Sequence, residues 1–280
     1  MANFTAYFTF FALIASAYAW GYLPNDGPPT WTGECKTGKL QSPINFERRT
    51  MEPTRYDKLI FMHYLNAGIV NLTNNGHTVI GTGFDTWGPY QPYIFGGGLK
   101  YKYNLVQFHL HWSSNDSTGS EHTVGGLHYS AELHLVHVRA DLPLDVAQTT
   151  PDGITVIGVF MALGVQSSAL TGLEGAIDKI STFGTKVQVN HFLPQTLLPV
   201  NIDSFYRYEG SLTTPGCNEG IVWTVFPDPI FITLRQLFLL RKMRTRAGTL
   251  LGTNVRPIQP LNGRVVRHDS LFFRSIVTFY

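Results

Sequence analysis

The chain has 280 residues, of which 44% are hydrophobic, 13% aromatic and 14% charged, with a formal net charge of +2. So small a charge excess, without any Lys/Arg cluster, argues against nucleic acid or an anionic membrane surface as the main partner. No internal repeat, low-complexity tract or break in composition divides the chain, so one aromatic-rich globular domain is the economical reading.

Residues 1–19 (MANFTAYFTFFALIASAYA) carry no charged side chain, are apolar in the middle and end in Ala17-Tyr18-Ala19. That ending is the small-x-small pattern of a signal-peptidase site, and the apolar run is too short to span a bilayer well. The expectation is a secreted protein with 1–19 removed and one domain over 20–280. The C-terminal stretch LFFRSIVTFY holds an Arg within a short apolar run and reads as neither a membrane span nor a lipid-anchor signal.

After an irregular Pro/Gly-rich opening, short strand patterns alternate with turn clusters such as Asn74-Asn75-Gly76, Gly96-Gly97-Gly98 and Gly125-Gly126. Strands are predicted at Ile69–Leu72, Leu105–Trp112, Ser130–Val138, Thr155–Leu163 and Ile221–Phe226. Helical spacing joins Leu173, Ile177 and Ile180, and Thr233 is placed to cap a helix over Leu234–Met243. Cys35 and Cys217 are the only cysteines. An oxidising compartment would favour joining them, closing a loop worth roughly 5 kcal/mol in the chain-entropy model, although spacing alone also fits two unrelated thiols. Asn71-Leu-Thr73 and Asn115-Asp-Ser117 are glycosylation sequons.

The ten histidines make chance pairs common, so strand period must choose among them. In Gln107-Phe-His-Leu-His-Trp112, Gln107, His109 and His111 share one face of a strand, and two imidazoles at i, i+2 can grip one ion. In the strand Ala131–Val138, Glu132, His134 and Val136 share a face while His137 points the other way. His134, not His137, is therefore the expected third ligand. Three histidines and an open position make a catalytic rather than a structural zinc arrangement. Each ligating ring needs its second nitrogen held, and Gln107 and Glu132 are spaced to do so for His109 and His134.

With these motifs in place the sequence resembles the α-class carbonic anhydrases. The matches run in family order through Trp20-Gly-Tyr22, Gln41-Ser-Pro-Ile44, Asn74-Asn-Gly-His77, Gln107–Trp112, Gly119-Ser-Glu-His-Thr-Val124, Ala131–His137, Ser211-Leu-Thr-Thr-Pro215 and Arg256-Pro-Ile-Gln-Pro-Leu261. The resemblance implies a mainly β (α+β) single domain: a large twisted, mostly antiparallel sheet, short peripheral helices and a conical zinc cleft. It also implies the Cys35–Cys217 disulfide found in secreted members.

The implied activity is reversible hydration of carbon dioxide to bicarbonate by attack of zinc-bound hydroxide. Carbonic anhydrases are themselves the standard example of zinc lowering the pKa of its bound water to about 7. Carried over residue by residue, Thr213 accepts a hydrogen bond from the nucleophile and donates to Glu121, and Thr214 helps place bicarbonate. Val136, Val156, Leu212, Ile221 and Trp223 form the apolar wall for carbon dioxide. His77 is the implied proton shuttle, with Tyr22 and Asn75 ordering the connecting water.

Two positions depart from the best-known members: Thr78 is bulkier than the Ala often beside the shuttle, and Ile80 replaces a polar residue. Both bear on proton transfer rather than on the metal. Sulfonamides and anions are the implied inhibitors, and the sequence leaves the oligomeric state open. The competing reading is a catalytically weak carbonic anhydrase-like binding or matrix protein, which the intact ligands, Thr213 and Glu121 disfavour.

Overall fold

The structure, a computed structural model, describes residues 20–167 and 169–270. The signal-peptide reading of 1–19 and the C-terminal stretch 271–280 lie outside the described residues. The strands are β1 (Asn45–Phe46), β2 (Glu52–Pro53), β3 (Leu59–Met62), β4 (Gly68–Asn74), β5 (Val79–Thr82), β6 (Tyr93–Gly96) and β7 (Tyr103–Trp112). They continue as β8 (Thr123–Val124), β9 (Ala131–Arg139), β10 (Ile154–Leu163), β11 (Lys186–Phe192), β12 (Phe205–Ser211), β13 (Glu219–Ile232) and β14 (Arg267–Asp269). Short α-helices, α1 (Glu34–Thr37), α2 (Leu144–Ala147), α3 (Glu174–Ile177) and α4 (Leu234–Arg241), lie between them.

One large sheet has the order β11-β4-β5-β7-β9-β10-β13-β12-β14-β2, and β3 joins it through β6, which pairs with β7. Its pairs are antiparallel except β10 with β13 and β14 with β2. β1 and β8 form a separate parallel pair. This is the mainly β single domain that the sequence resemblance implied.

The central strands are covered on both faces, and their sequences show why. β9 is buried from Ala131 to Val138 and β10 from Ile154 to Met161, which leaves both as near-continuous apolar runs interrupted by a few polar groups. Leu110, Trp112, Leu133, Leu135, Ile157 and Val159 belong to one core cluster, whereas Val136, Val156, Ile221 and Trp223 belong to a second. His137 falls on the face opposite His134, where its Nε2 lies 2.6 Å from the Tyr64 hydroxyl.

All five predicted strands form. Thr233 caps α4 through a reciprocal box with Gln236, satisfying two otherwise free amides at the helix start. The other helical prediction is corrected. Leu173, Ile177 and Ile180 are all buried, but the α-helix covers only Glu174–Ile177. The chain then tightens, with the Ile180 N–H bonded to the Ile177 carbonyl, so the spacing reflects three anchors of a compact turn rather than a longer helix.

Candidate metal centre

Sheet register builds the site before any side chain is considered. One row across β5, β7, β9 and β10 pairs Ile80 with His109, His109 with His134, and His134 with Gly158. Directly opposed residues on antiparallel strands share a face, so His109 and His134 stand side by side. His111 is one step further along β7, opposite Glu132. The three ring centroids are separated by 5.0 Å (His109–His111), 5.2 Å (His109–His134) and 4.5 Å (His111–His134).

The outer nitrogen of each ring is engaged. His109 Nδ1 donates to Gln107 Oε1 at 2.9 Å, and His134 Nε2 donates to Glu132 Oε1 at 2.7 Å. His111 Nδ1 donates to the backbone carbonyl of Asn254 at 2.8 Å. These bonds set the tautomers, leaving a bare lone pair on His109 Nε2, His111 Nε2 and His134 Nδ1. One ligand atom from each of the three residues lies within 4.8 Å of the others.

Burial pushes His109 well below the usual imidazole range, reinforced by His111 and His134, and lowers His134 to about 4. Neutral rings are what a metal requires. His111 Nε2 is buried without a partner, a costly state for a lone pair aimed into the protein unless something binds there. Three imidazoles with converging lone pairs, and no fourth ligand joining them among the described residues, fit zinc in a catalytic setting.

Glu121 and Thr213 stand beside the trio. Glu121 is fully buried; its Oε1 accepts from the Arg256 N–H at 2.9 Å, its Oε2 is buried without a hydrogen-bond partner, and the Thr213 side chain is close enough to act on its carboxylate. Glu121 Oε2 lies 3.5 Å from His111 Nε2 and 3.9 Å from His134 Nδ1. Burial raises the Glu121 pKa, while His111 and the nearby Thr213 side chain pull it down.

The loop carrying Thr213 is anchored at its root. The Ser42 N–H donates to Ser211 Oγ at 2.9 Å, the Ser211 N–H donates to Ser42 Oγ at 3.0 Å, and Trp223 Nε1 donates to the Ser211 carbonyl at 3.0 Å. Beyond Thr213, Cys217 is disulfide-bonded to Cys35. Thr214 is half-buried in the same loop, its carbonyl accepting from the Cys217 N–H at 2.9 Å.

The residues of the implied apolar wall come together. Val136 pairs with Val156, and Val156 with Trp223, giving a row two residues along from the histidine row. Ile221 and Leu212 pack in the same cluster. The Trp223 ring meets the His134 ring edge-on, with centroids 4.8 Å apart. Such a surface is suited to a small apolar molecule.

The proton-path residues have a mixed placement. His77 is stacked on Trp20, its Nδ1 is buried without a partner, and burial lowers its pKa to about 4. Tyr22 meets Trp20 and Trp31 edge-on and lies near enough to Glu121 to feel its charge. Asn75 spends its Oδ1 on its own turn, accepting from the N–H groups of His77 and Thr78 at 3.0 and 2.9 Å. Ile80 is buried in the metal row beside His109.

Two contributors carry no periodic signal in the sequence. Asn254 lies 143 positions from His111 and holds it through a backbone carbonyl, which any residue could supply. His122 shares Glu132 with His134: its Nδ1 donates to Glu132 Oε1 at 2.7 Å, and its Nε2 accepts from the Tyr208 hydroxyl at 2.6 Å. Its isolated position in Ser120-Glu-His-Thr123 has no strand period to mark it.

An open centre of three imidazoles, with a hydroxyl–carboxylate pair and an apolar wall beside it, is the donor arrangement of catalytic zinc enzymes. Residues 26–270 match the family model of the eukaryotic-type carbonic anhydrases. The chain is 43% identical over 255 residues to the Caenorhabditis elegans protein named "Putative carbonic anhydrase 5", covering 90% of this chain and 82% of that protein. It is 38% identical over 262 residues to carbonic anhydrase 3 of Rattus norvegicus, covering 90% of this chain and 98% of the relative. The chain belongs to the eukaryotic-type carbonic anhydrase family and is a carbonic anhydrase enzyme.

Proposed function

We propose that His109, His111 and His134 hold a zinc ion and that the chain interconverts carbon dioxide and bicarbonate at that centre. The convergence of three lone pairs, each from a ring whose other nitrogen is already bonded, carries this reading. When bound, zinc supplies a strong Lewis acid that makes water acidic near neutrality.

The protein's own groups do the rest. Thr213, beside the buried and unpartnered Oε2 of Glu121, gives its hydroxyl proton to that carboxylate and so presents an acceptor to the nucleophile, orienting it. Thr214 and the Thr213 N–H position the bicarbonate oxygens. Val136, Val156, Leu212, Ile221 and Trp223 offer carbon dioxide an apolar surface from which water is excluded. His77 takes protons out to solvent once its ring leaves Trp20, because in the stacked position burial holds its pKa near 4. Tyr22 and Asn75 order the water that links it to the centre. Sulfonamides and small anions would compete at the same position.

Secretion with removal of 1–19 is part of this proposal. The Cys35–Cys217 disulfide supports it, and among the described residues no helix is long and apolar enough to cross a membrane. Asn71, half-buried, and Asn115, exposed, are the proposed glycosylation sites. The test is metal analysis of the purified protein with stopped-flow carbon dioxide hydration across pH. Stoichiometric zinc and sulfonamide-sensitive hydration are expected. Protein lacking both would overturn the reading.

A further inference from the structure

The strand that carries two of the metal ligands loses its neighbour partway along. β5 pairs with β7 through Thr82–Gln107, Gly81–Phe108 and Ile80–His109, and the ladder stops there. His111 lies beyond it. A strand whose backbone groups are released at this point would need other partners for the peptides that follow.

Thr78 supplies them. Its Oγ1 lies 2.5 Å from the Leu110 carbonyl and 3.2 Å from the Leu110 N–H. The hydroxyl donates to the first and accepts from the second. The Leu110 N–H belongs to the peptide joining His109 to Leu110, and its carbonyl to the peptide joining Leu110 to His111. One hydroxyl thus fixes both peptide units between the two ligands. Thr78 is itself buried, and a β-branched side chain has few rotamers to lose.

The Asn254 side chain continues the same role. Its Nδ2 donates to the Leu110 carbonyl at 2.8 Å and to the His77 carbonyl at 3.0 Å, and its Oδ1 accepts from the Trp112 N–H at 2.7 Å. From Leu110 to Trp112, the Thr78 hydroxyl and Asn254, through its side chain and through its own N–H to the Trp112 carbonyl at 3.1 Å, take the place of a neighbouring strand.

We propose that Thr78 is a positioning residue for the metal: its hydroxyl fixes the spacing of His109 and His111 by clamping the two peptides between them. Its presence beside His77 is then primarily a matter of ligand geometry rather than of the proton path. This rests on His109, His111 and His134 being the zinc ligands.

The test compares Thr78→Val, which keeps the shape and removes the hydroxyl, with Thr78→Ser, which keeps the hydroxyl. Thr78→Ala serves if the valine variant does not fold. Thr155→Val is the control, because Thr155 Oγ1 also donates to a buried backbone carbonyl, that of Val222 at 2.7 Å, but away from the ligands. Zinc dissociation constants are measured on metal-free protein by chelator competition, and the ligand geometry by the visible spectrum of the cobalt(II)-loaded protein.

Removing a group that orients a ligand typically weakens metal binding about 10–100-fold. Acting through the backbone, Thr78→Val is expected near the lower end, about tenfold, with an altered cobalt spectrum. Thr78→Ser should restore both, and Thr155→Val should lower the melting temperature without moving either. Wild-type zinc affinity and cobalt spectrum in Thr78→Val and Thr78→Ala would overturn the clamp. A wild-type protein that binds neither zinc nor cobalt would instead overturn the metal assignment on which it rests.

Discussion

The imidazole of His77 lies flat against the indole of Trp20, with ring centroids 3.8 Å apart and planes 10° from parallel. The stack withdraws the ring from water, and burial brings its pKa to about 4. A group with that pKa is neutral through the physiological range and exchanges protons poorly there. Trp20→Ala should expose the ring and raise its pKa toward 6.5, followed by proton NMR titration of the His77 ring signals. A pKa unchanged by loss of the indole would show that Trp20 does not set it.

His77→Ala should lower the maximal hydration rate and leave zinc content unchanged, with imidazole buffer restoring part of the rate. Absence of buffer rescue would mean that protons leave by another route.

His134 and His137 both belong to β9 and lie on opposite faces. His134→Ala should strip the protein of zinc, whereas His137→Ala should retain it and lose stability, because the Tyr64 hydroxyl is left buried without its partner. Loss of a buried partner of this kind costs about 1–3 kcal/mol. Zinc analysis and thermal unfolding of both variants provide the check, and equal zinc loss would contradict the face assignment.

His137 also gives stability a pH dependence. Burial lowers its folded pKa to about 3, below the 6.5 of a free imidazole. Between these values the unfolded chain binds a proton that the folded chain refuses. Its contribution is therefore complete above about pH 6.5 and is lost progressively as pH falls toward 3. Denaturant unfolding of metal-free wild type and His137→Gln, compared at neutral and at mildly acidic pH, should give a steeper acid decline for wild type. Parallel curves would refute the effect.

Thr213→Ala should keep zinc while reducing turnover, since the residue is assigned to orientation and not to ligation. Deletion of a comparable catalytic hydrogen bond costs about 10²–10³ in rate, and stopped-flow hydration beside metal analysis measures both quantities. Loss of zinc in this variant would reject the assigned role.

Cys35 and Cys217 are joined across 182 positions of sequence. Replacing both with serine should lower stability by about 2–5 kcal/mol, read from denaturant unfolding. A larger effect on turnover than on zinc affinity is also expected, because Cys217 follows the loop that carries Thr213.

The parts of the site that obey strand period were legible in the sequence. Gln107, His109 and His111 alternate on β7, Glu132 and His134 alternate on β9, and the structure brings them together as that spacing required. Thr213 and Glu121 carry no periodic signal, and their roles came with the family motifs. Asn254 was invisible because its hold on His111 is a backbone carbonyl.

Of the fourteen strands in the described residues, nine were not picked out, β11 and β12 among them. β11 does alternate, Val187 and Val189 lying between exposed Lys186, Gln188 and Asn190, but its apolar face is only two valines wide, whereas in β12 the buried Arg207 among the aromatics breaks the alternation. The Leu173–Ile180 spacing misled for the opposite reason: three buried anchors can share helical spacing while the backbone makes only a short turn of helix.

The three outer contacts of the metal site differ in kind: an amide oxygen for His109, a main-chain oxygen for His111 and a carboxylate for His134. Their tunability differs accordingly. A single substitution at Gln107 or Glu132 can change the electron density offered by its ring. No exchange of the Asn254 side chain can delete the oxygen that His111 meets; only moving the segment can. Two ligands are thus adjustable at the oxygen itself, while the third responds only to shifts of a segment far away in sequence, which the Asn254 side chain anchors to Leu110, Trp112 and His77.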